Sequence, residues 1–267
     1  MRLTRPSTRT LLTALMLITG GGGLLLFWQS AWGEWASTRP VGTFHLRSEL
    51  PLDDAEGQAL LQEMARIRAE VARQLQLPAN GRPLEVNLFA TRESFQRYVA
   101  GYFPDAAART ALYVHDADAG RVILYQHDNF ETDLRHECTH AVLHNTLKQL
   151  PLWLDEGLAE YFEIPAGERV RGNPYLEETK RQIAAGWKPD LSRLEELANL
   201  AEMTGEDYRE SWAWAHFLLH ASDSTRQLLH DFLMESQSGL PVGRLSDKLK
   251  SCYANPDAEL LTHFQDW

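Results

Sequence analysis

Two histidines four residues apart, in the segment His136-Glu137-Cys138-Thr139-His140, constrain this chain more than any other feature. Residues four apart on an α-helix lie one turn above each other on the same face, so both imidazoles can bind one cation. Glu137 can then reach a water on that cation without being a ligand itself, which is the placement that a general base requires. The segment therefore predicts a zinc peptidase site.

The surrounding sequence predicts two helices joined by a short turn. Residues 132–147 carry a helical apolar stripe beside the histidines. Pro151 marks a break, and residues 153–162 resume a helical pattern. Such a pair of helices can bring Glu156, sixteen residues after the second histidine, next to the histidine pair.

Carboxylates on the second helix complete the predicted site. A catalytic zinc keeps three protein ligands and one open position, so the histidine pair needs one further donor. We predict Glu156 as this third ligand. Glu160, one turn further on, is predicted to hydrogen-bond the other ring nitrogen of a histidine ligand. Asp155 lies about 140° round the helix from Glu160, so we expect it to take no part.

A different zincin layout is excluded by inspection. The metzincin pattern would require glycine at position 143 and histidine at position 146, where the chain has Leu143 and Thr146. His144 does continue the histidine stripe. A third histidine on one straight helix lies a full turn too far to close a tetrahedral site with His136, so we interpret it as structural or as a partner of a ligand.

The segments H-E-C-T-H and W-L-D-E-G-L-A-E-Y-F resemble the gluzincins, the thermolysin-like and aminopeptidase-like zinc metallopeptidases. They are most similar to gluzincin-like families of bacterial envelope proteins, in which R-H-E-x-T-H precedes P-x-W-L-x-E-G-L-A-E-Y-F. The match covers residues 135–163, with a shorter segment before the third ligand than in better-known gluzincins. The resemblance implies zinc ligands at His136, His140 and Glu156, a base at Glu137, and a carboxylate at Glu160 that orients His136.

Two further features could contact a substrate. In gluzincins the strand before the metal helix forms one wall of the cleft, and residues 121–125 have that position here; an ordinary core strand is the alternative. Tyr208 matches the place of a tyrosine in related families and could donate a hydrogen bond to the oxyanion. A packing role for Tyr208 stays open.

The N-terminal residues 1–36 predict an export signal. Arg2, Arg5 and Arg9 precede an apolar run over residues 11–28, and basic residues before such a run orient the remainder outside the cytoplasm. The length of the run favours an uncleaved, single-pass signal anchor with an extracytoplasmic or periplasmic catalytic domain. Cleavage after Gly33 is the alternative and would release a secreted protein.

The net charge and the cysteine content limit which partners and which disulfides are possible. A formal net charge of −11 argues against nucleic acid and against electrostatic binding to an anionic membrane surface. The two cysteines, Cys138 and Cys252, exclude a framework of several disulfides and allow one bridge. Cys138 lies about 200° round the helix from each histidine, so we expect a small buried apolar group.

We predict that residues 37–267 form an α+β, zincin-like catalytic domain, with an N-terminal sheet, the active-site helices and a helical portion from about residue 165. Strands are predicted at 43–48, 84–90, 111–115 and 121–125. Helices are predicted after Asp53 and at 94–102, 132–147, 153–162, 174–185, 191–200, 207–220, 224–234 and 242–251.

The predicted function is hydrolysis of peptide bonds in a peptide or protein substrate, with one Zn²⁺ per chain and Glu137 activating water. Two alternatives stay open. The first is a non-catalytic envelope protein that uses the zinc site to bind a partner, although all four central motif residues are intact. The second is a zinc hydrolase of a non-peptide amide, such as cell-wall material.

Overall fold

The computed structural model describes residues 35–78, 82–106, 109–115, 120–239 and 241–267. The predicted signal anchor, residues 1–36, lies almost entirely outside these ranges. Across the described ranges, no helix is both long enough and apolar enough to span a bilayer. The predicted α+β class is confirmed, because the described residues form one mixed five-stranded sheet and ten α-helices.

The chain forms two compact units. The first contains the described residues up to Ala65 and those of Gly81–Leu134, and the second contains Arg66–Asn80 and Arg135–Trp267. The division falls within two helices, each of which begins in the first unit and ends in the second. Residue 165, from which a helical portion was predicted, lies within the second unit.

The sheet belongs to the first unit and has the strand order β1-β2-β3-β5-β4. The two edge strands pair antiparallel with their neighbours, and the three inner strands are parallel to one another. All four predicted strands are present, and β1 is an additional one. The strands are β1 (Ser37–Val41), β2 (Phe44–Ser48), β3 (Leu84–Phe89), β4 (Ala111–His115) and β5 (Gly120–Tyr125).

The edge strand β1 is joined to β2 by a tight turn. Val41 pairs with Phe44, so only two residues form the loop, and the first of them, Gly42, has a φ of +59°. Glycine adopts this left-handed conformation without steric cost. Pro40 cannot donate a ladder hydrogen bond, and an edge strand is where a sheet tolerates that loss.

Helices of the first unit cover both faces of the sheet. Leu60 and Met64 of α1 (Asp54–Gln74) lie against Val86, Leu88 and Leu124 on one face. On the other face, α2 (Arg92–Tyr102) contributes to a second apolar cluster. Its buried members include Phe89, Phe95, Val99, Leu112, Ile123 and Tyr125.

The second unit is helical. The predicted helices are present, but α6 is much shorter than the predicted 191–200, and α10 is an addition. The remaining helices of the chain are α3 (Phe130–Thr146), α4 (Leu152–Phe162), α5 (Pro174–Ala184), α6 (Leu191–Leu194), α7 (Gly205–His220), α8 (Asp223–Ser238), α9 (Leu245–Cys252) and α10 (Pro256–Asp266).

Helices α4 and α7 pack unusually close together. A Cβ atom added at Gly157 of α4 would lie 2.3 Å from the carbonyl oxygen of Ser211 in α7, a distance that real side chains do not reach. Trp153 and Trp212, both fully buried, fill the core around these helices. The glycine of the E-G-L segment is therefore required for helix packing, and this packing fixes α4.

Candidate metal centre

Helix α3 places the two motif histidines on one face, as their spacing predicts. The Nε2 atoms of His136 and His140 are only 3.2 Å apart. His140 is 4% exposed, and His136 is half-buried. Two ring nitrogens thus point at a common position from successive turns of one helix.

Helix α4 brings Glu156 to the same position. The chain leaves α3 after Thr146 and begins α4 at Leu152, directly after Pro151. The Oε2 atom of Glu156 lies 3.6 Å from Nε2 of His136 and 3.7 Å from Nε2 of His140. The structure therefore brings together the three residues that the sequence predicts as ligands.

The spacing of these atoms fits a zinc ion. Tetrahedral zinc with bonds of about 2.0–2.1 Å has its donor atoms about 3.3 Å apart. The three distances between the donor atoms, 3.2, 3.6 and 3.7 Å, are close to that value. Two imidazoles and one carboxylate also match the donors that catalytic zinc prefers. These buried groups can bind a metal ion.

The second nitrogen of each ring is hydrogen-bonded to a carboxylate. Nδ1 of His136 lies 3.0 Å from Oε2 of Glu163, and Nδ1 of His140 lies 2.9 Å from Oδ1 of Asp155. A ring that donates from Nδ1 presents the lone pair of Nε2 to a metal, and the carboxylate raises the basicity of that nitrogen. Both rings are thus oriented for metal binding.

Two expectations about these carboxylates are corrected. Glu163, rather than Glu160, lies at Nδ1 of His136. Round the helix axis, Glu163 is only about 20° away from the direction of Glu156, whereas Glu160 is about 40° away. The expectation that Asp155 takes no part is wrong. The expectation used only the angles between side chains round α4. It did not take into account that His140 of α3 contacts α4 at Asp155, before Glu156, while His136 contacts it at Glu163, after Glu156.

Glu160 lies next to Glu163, the carboxylate that hydrogen-bonds His136. Burial raises its pKa to about 8, and the nearby charge of Glu163 adds to the shift. Tyr175 of α5 lies close enough that, in addition to burial, Glu160 raises the pKa of its phenol. Glu160, beside Glu163 and His136, therefore favours its protonated form at neutral pH.

The pKa values of the ligands show how strongly the site attracts positive charge. Burial alone would lower the pKa of His136, but hydrogen bonds to Glu156 and Glu163 raise it well above its usual value. Burial would also lower the pKa of His140, which the charges of Asp155 and Glu156 raise. Burial would raise the pKa of Asp155, but the neighbouring imidazoles hold it well below its usual range. A bound cation would replace these protons.

Glu137 differs from the other acidic residues of the site. It is 8% exposed, and its charge contributes to the raised pKa of His136 beside it. Among the described residues, no donor hydrogen-bonds its carboxylate, whereas Asp155 and Glu163 are both engaged by histidine rings. Glu137 is therefore available to accept a proton from a water or a substrate.

Tyr208 lies in the first part of α7 and is half-buried. Helix α7 begins slightly earlier than predicted, at Gly205, because Thr204 and Asp207 form a capping box. Tyr208 is close enough to Tyr175 to influence its pKa, and Tyr175 in turn contacts Glu160. A second phenol that the sequence analysis missed thus lies in this neighbourhood.

A buried ion-pair network holds the end of α4. Arg135 donates from Nε to the carbonyl oxygen of Phe162 at 3.1 Å and from Nη2 to Oε2 of Glu70 at 2.8 Å. Arg169 donates to the same oxygen of Glu70. Arginine at a helix C-terminus satisfies carbonyl groups that the helix leaves free. The network therefore fixes the end of α4, where Glu163 begins the following turn.

The remaining sequence expectations about side chains are partly met. Cys138 is fully buried, as predicted, and Cys252 is exposed; neither forms a disulfide. His144 hydrogen-bonds Asp155. Residues 121–125 lie in β5, as predicted, and their role as a cleft wall stays a prediction.

No protein-family model matches this chain, and no curated protein matches it either. The function therefore has to be argued from the metal centre itself.

Proposed function

We propose that this protein is a zinc-dependent peptidase, exported by its N-terminal segment and working outside the cytoplasm. The observation that carries the proposal is the convergence of Nε2 of His136, Nε2 of His140 and Oε2 of Glu156 within 3.7 Å of one another. The zincin-like fold expected from the sequence belongs to the same proposal.

His136, His140 and Glu156 would hold the zinc ion. The bound ion would act as a Lewis acid that polarises the scissile carbonyl and lowers the pKa of a water molecule. With three protein donors, the ion would still be able to bind that water or the substrate. A carboxylate among the ligands reduces the net positive charge that the buried site has to accommodate.

Glu137 supplies the base. Its carboxylate takes a proton from the attacking water while the water oxygen bonds to the carbonyl carbon. The same carboxyl group then gives the proton to the amide nitrogen as the C–N bond breaks, so the products are a free acid and an amine. Its lack of hydrogen-bonding partners among the described residues supports this role, because a carboxylate already paired with a donor would be a weaker base.

Tyr208 is proposed to stabilise the oxyanion. A phenol can donate a hydrogen bond to the oxygen on which negative charge develops. The place of Tyr208 beside Tyr175, which also lies near Glu160, puts it in the neighbourhood of the proposed site.

The test combines metal analysis with cleavage of a mixed peptide library by the purified full chain. We expect about one zinc per chain and defined peptide products. Glu137→Gln should keep the zinc and lose about 10²- to 10⁴-fold in rate. Glu131→Gln, the same exchange at an exposed position of α3, is the matched control and should resemble the wild type.

Two results would contradict the proposal. Full activity of the Glu137→Gln variant would remove the proposed base. A zinc-loaded wild type that yields no peptide products would favour one of the two alternatives, and adding cell-wall amides to the library separates a hydrolase of such amides from a non-catalytic binding protein.

A further inference from the structure

His144 lies one turn beyond His140 on α3 and is neither a proposed ligand nor a proposed catalytic residue. Its Nε2 is 2.7 Å from Oδ2 of Asp155, the shortest of the three histidine–carboxylate bonds at this site. Its side chain is 14% exposed. This ring is thus largely buried and hydrogen-bonded to Asp155.

The carboxylate of Asp155 bridges two histidines on successive turns of α3. Oδ1 lies 2.9 Å from Nδ1 of His140, and Oδ2 is the oxygen bound by His144. Among the described residues, these two rings are its side-chain hydrogen-bonding partners. Asp155 is only 3% exposed, so solvent does not replace either of them.

The second bond restricts the motion of the carboxylate. The terminal torsion of an aspartate is broad, so a carboxylate held at one oxygen can still turn about its axis. His140 and His144, both on α3, each hold one oxygen of Asp155, so the carboxylate cannot turn. The two rings also fix the residue before Glu156, and therefore the turn of α4 that carries the third proposed ligand.

We propose that His144 is a positioning residue for the metal centre: its Nε2–H holds Asp155 so that Oδ1 accepts from Nδ1 of His140, and Nε2 of His140 faces the metal. The proposal rests on the proposed zinc site. A competing arrangement would place a second cation between His140, His144 and Asp155, whose donor atoms also lie close together. The distances of 2.7 and 2.9 Å are those of charge-assisted hydrogen bonds, which favours the first arrangement.

The test compares metal affinity in His144→Leu and His144→Gln, measured on the full chain by competition with a chromophoric chelator. Leucine removes the donor, and we expect zinc affinity to fall about 10-fold. Glutamine can place an amide N–H near the position of Nε2, and we expect it to restore most of the affinity. His127→Leu, which removes the 3.1 Å bond from His127 to Asp133, is the control and should bind as the wild type does.

A second measurement needs neither metal nor activity. In the metal-free protein, the Nδ1–H proton of His140 should be protected from solvent exchange in NMR spectra of the wild type and of His144→Gln. It should exchange faster in His144→Leu, whose folded state is checked by thermal unfolding.

The outcomes separate this proposal from the peptidase proposal. A wild type that cleaves no peptide contradicts the enzyme, but the affinity and exchange comparisons still report on His144. Wild-type affinity and protection in His144→Leu would overturn the positioning role, as would a glutamine variant as weak as the leucine variant. Two zinc ions per wild-type chain, falling to one in both variants, would establish the competing second cation site instead.

Discussion

The two histidines of the metal centre have the same chemistry but different surroundings. Around His140, the ring and its partner Asp155 are 5% and 4% exposed, and His144 holds that partner from the far side. Around His136, the ring and its partner Glu163 are 18% and 17% exposed. Glu163 also has Glu160 beside it as a second carboxylate.

This difference indicates that the two halves of the site behave differently. The His140 half consists of His140, Asp155 and His144, and the His136 half consists of His136, Glu163 and Glu160. The His140 half is buried and held by neutral or oppositely charged partners, so its geometry should persist without an ion. The His136 half is closer to solvent and next to Glu160, whose pKa is raised to about 8, so its charge should respond to pH. Three measurements test this difference between the two halves: at the proposed ligands, at their carboxylate partners and at Glu160.

The largest effect is expected at the ligands. His136→Ala and His140→Ala should each abolish stoichiometric zinc, because each removes a bond to the ion. The two variants should differ in metal-free stability. His140→Ala leaves a deeply buried carboxylate short of one donor and should unfold with a free energy lower by on the order of 2 kcal/mol than His136→Ala. Urea unfolding measures this, and equal stabilities would show that the two halves are equivalent.

A smaller effect is expected at the carboxylate partners. Asp155→Asn and Glu163→Gln each weaken a bond to Nδ1, and loss of such partners typically costs about 10- to 100-fold in metal affinity. The loss of affinity for Asp155→Asn should be near 100-fold, because its two hydrogen bonds are buried. An asparagine amide has only one oxygen, so it cannot accept a hydrogen bond from each ring on a separate oxygen. Glu163→Gln should lie near the lower end. Chelator competition on both variants checks the order, and the reverse order would contradict the contrast.

The smallest effect concerns pH. The folded-state pKa of Glu160, about 8, is raised above its ordinary value, so folding favours the protonated acid. Its stabilising contribution is complete at pH values below the ordinary pKa of about 4.5 and is lost as pH rises through 8. The metal-free wild type should therefore lose more stability between pH 6 and pH 9 than Glu160→Gln.

The control for the pH comparison is Glu177→Gln, an exposed substitution on α5. It should show the wild-type pH dependence. If Glu160→Gln also followed the wild-type curve, the raised pKa of Glu160 would be contradicted.

Sequence spacing predicted that His136, His140 and Glu156 lie together, but it predicted only part of the hydrogen bonding that holds them. His136 and His140 are fixed by one helix, and Glu156 needed only a short turn to a second helix. The carboxylate partners depend on the angle at which α4 crosses α3, which no single-helix pattern contains. Glu163 could have been found as the next position on the stripe of Glu156 and Glu160, because residues seven apart share a helix face.

The fold shows the same limit. Inner strands such as β3 and β5 were predictable because their apolar runs are buried by the sheet. The edge strand β1 was missed because Ser37–Val41 is mostly exposed and contains a proline. The predicted helix at 191–200 stops early because side chains compete for its backbone, as when Glu202 accepts from the N–H of Ala198. Helix α10 was missed although Asn255 and Pro256 form a clear start signal.

The close approach at Gly157 bears on how the proposed metal site would acquire an ion. The backbones of α4 and α7 approach so closely there that no side chain fits between Gly157 and Ser211, and this packing holds α4 in place. The adjacent Glu156 is therefore already ordered in the empty protein, and the entropy of ordering it is lost during folding rather than during metal capture. For the proposed zinc site, a residue with no side chain, next to the proposed ligand Glu156, would thus make the protein a prepared receptor rather than one that assembles around its ion.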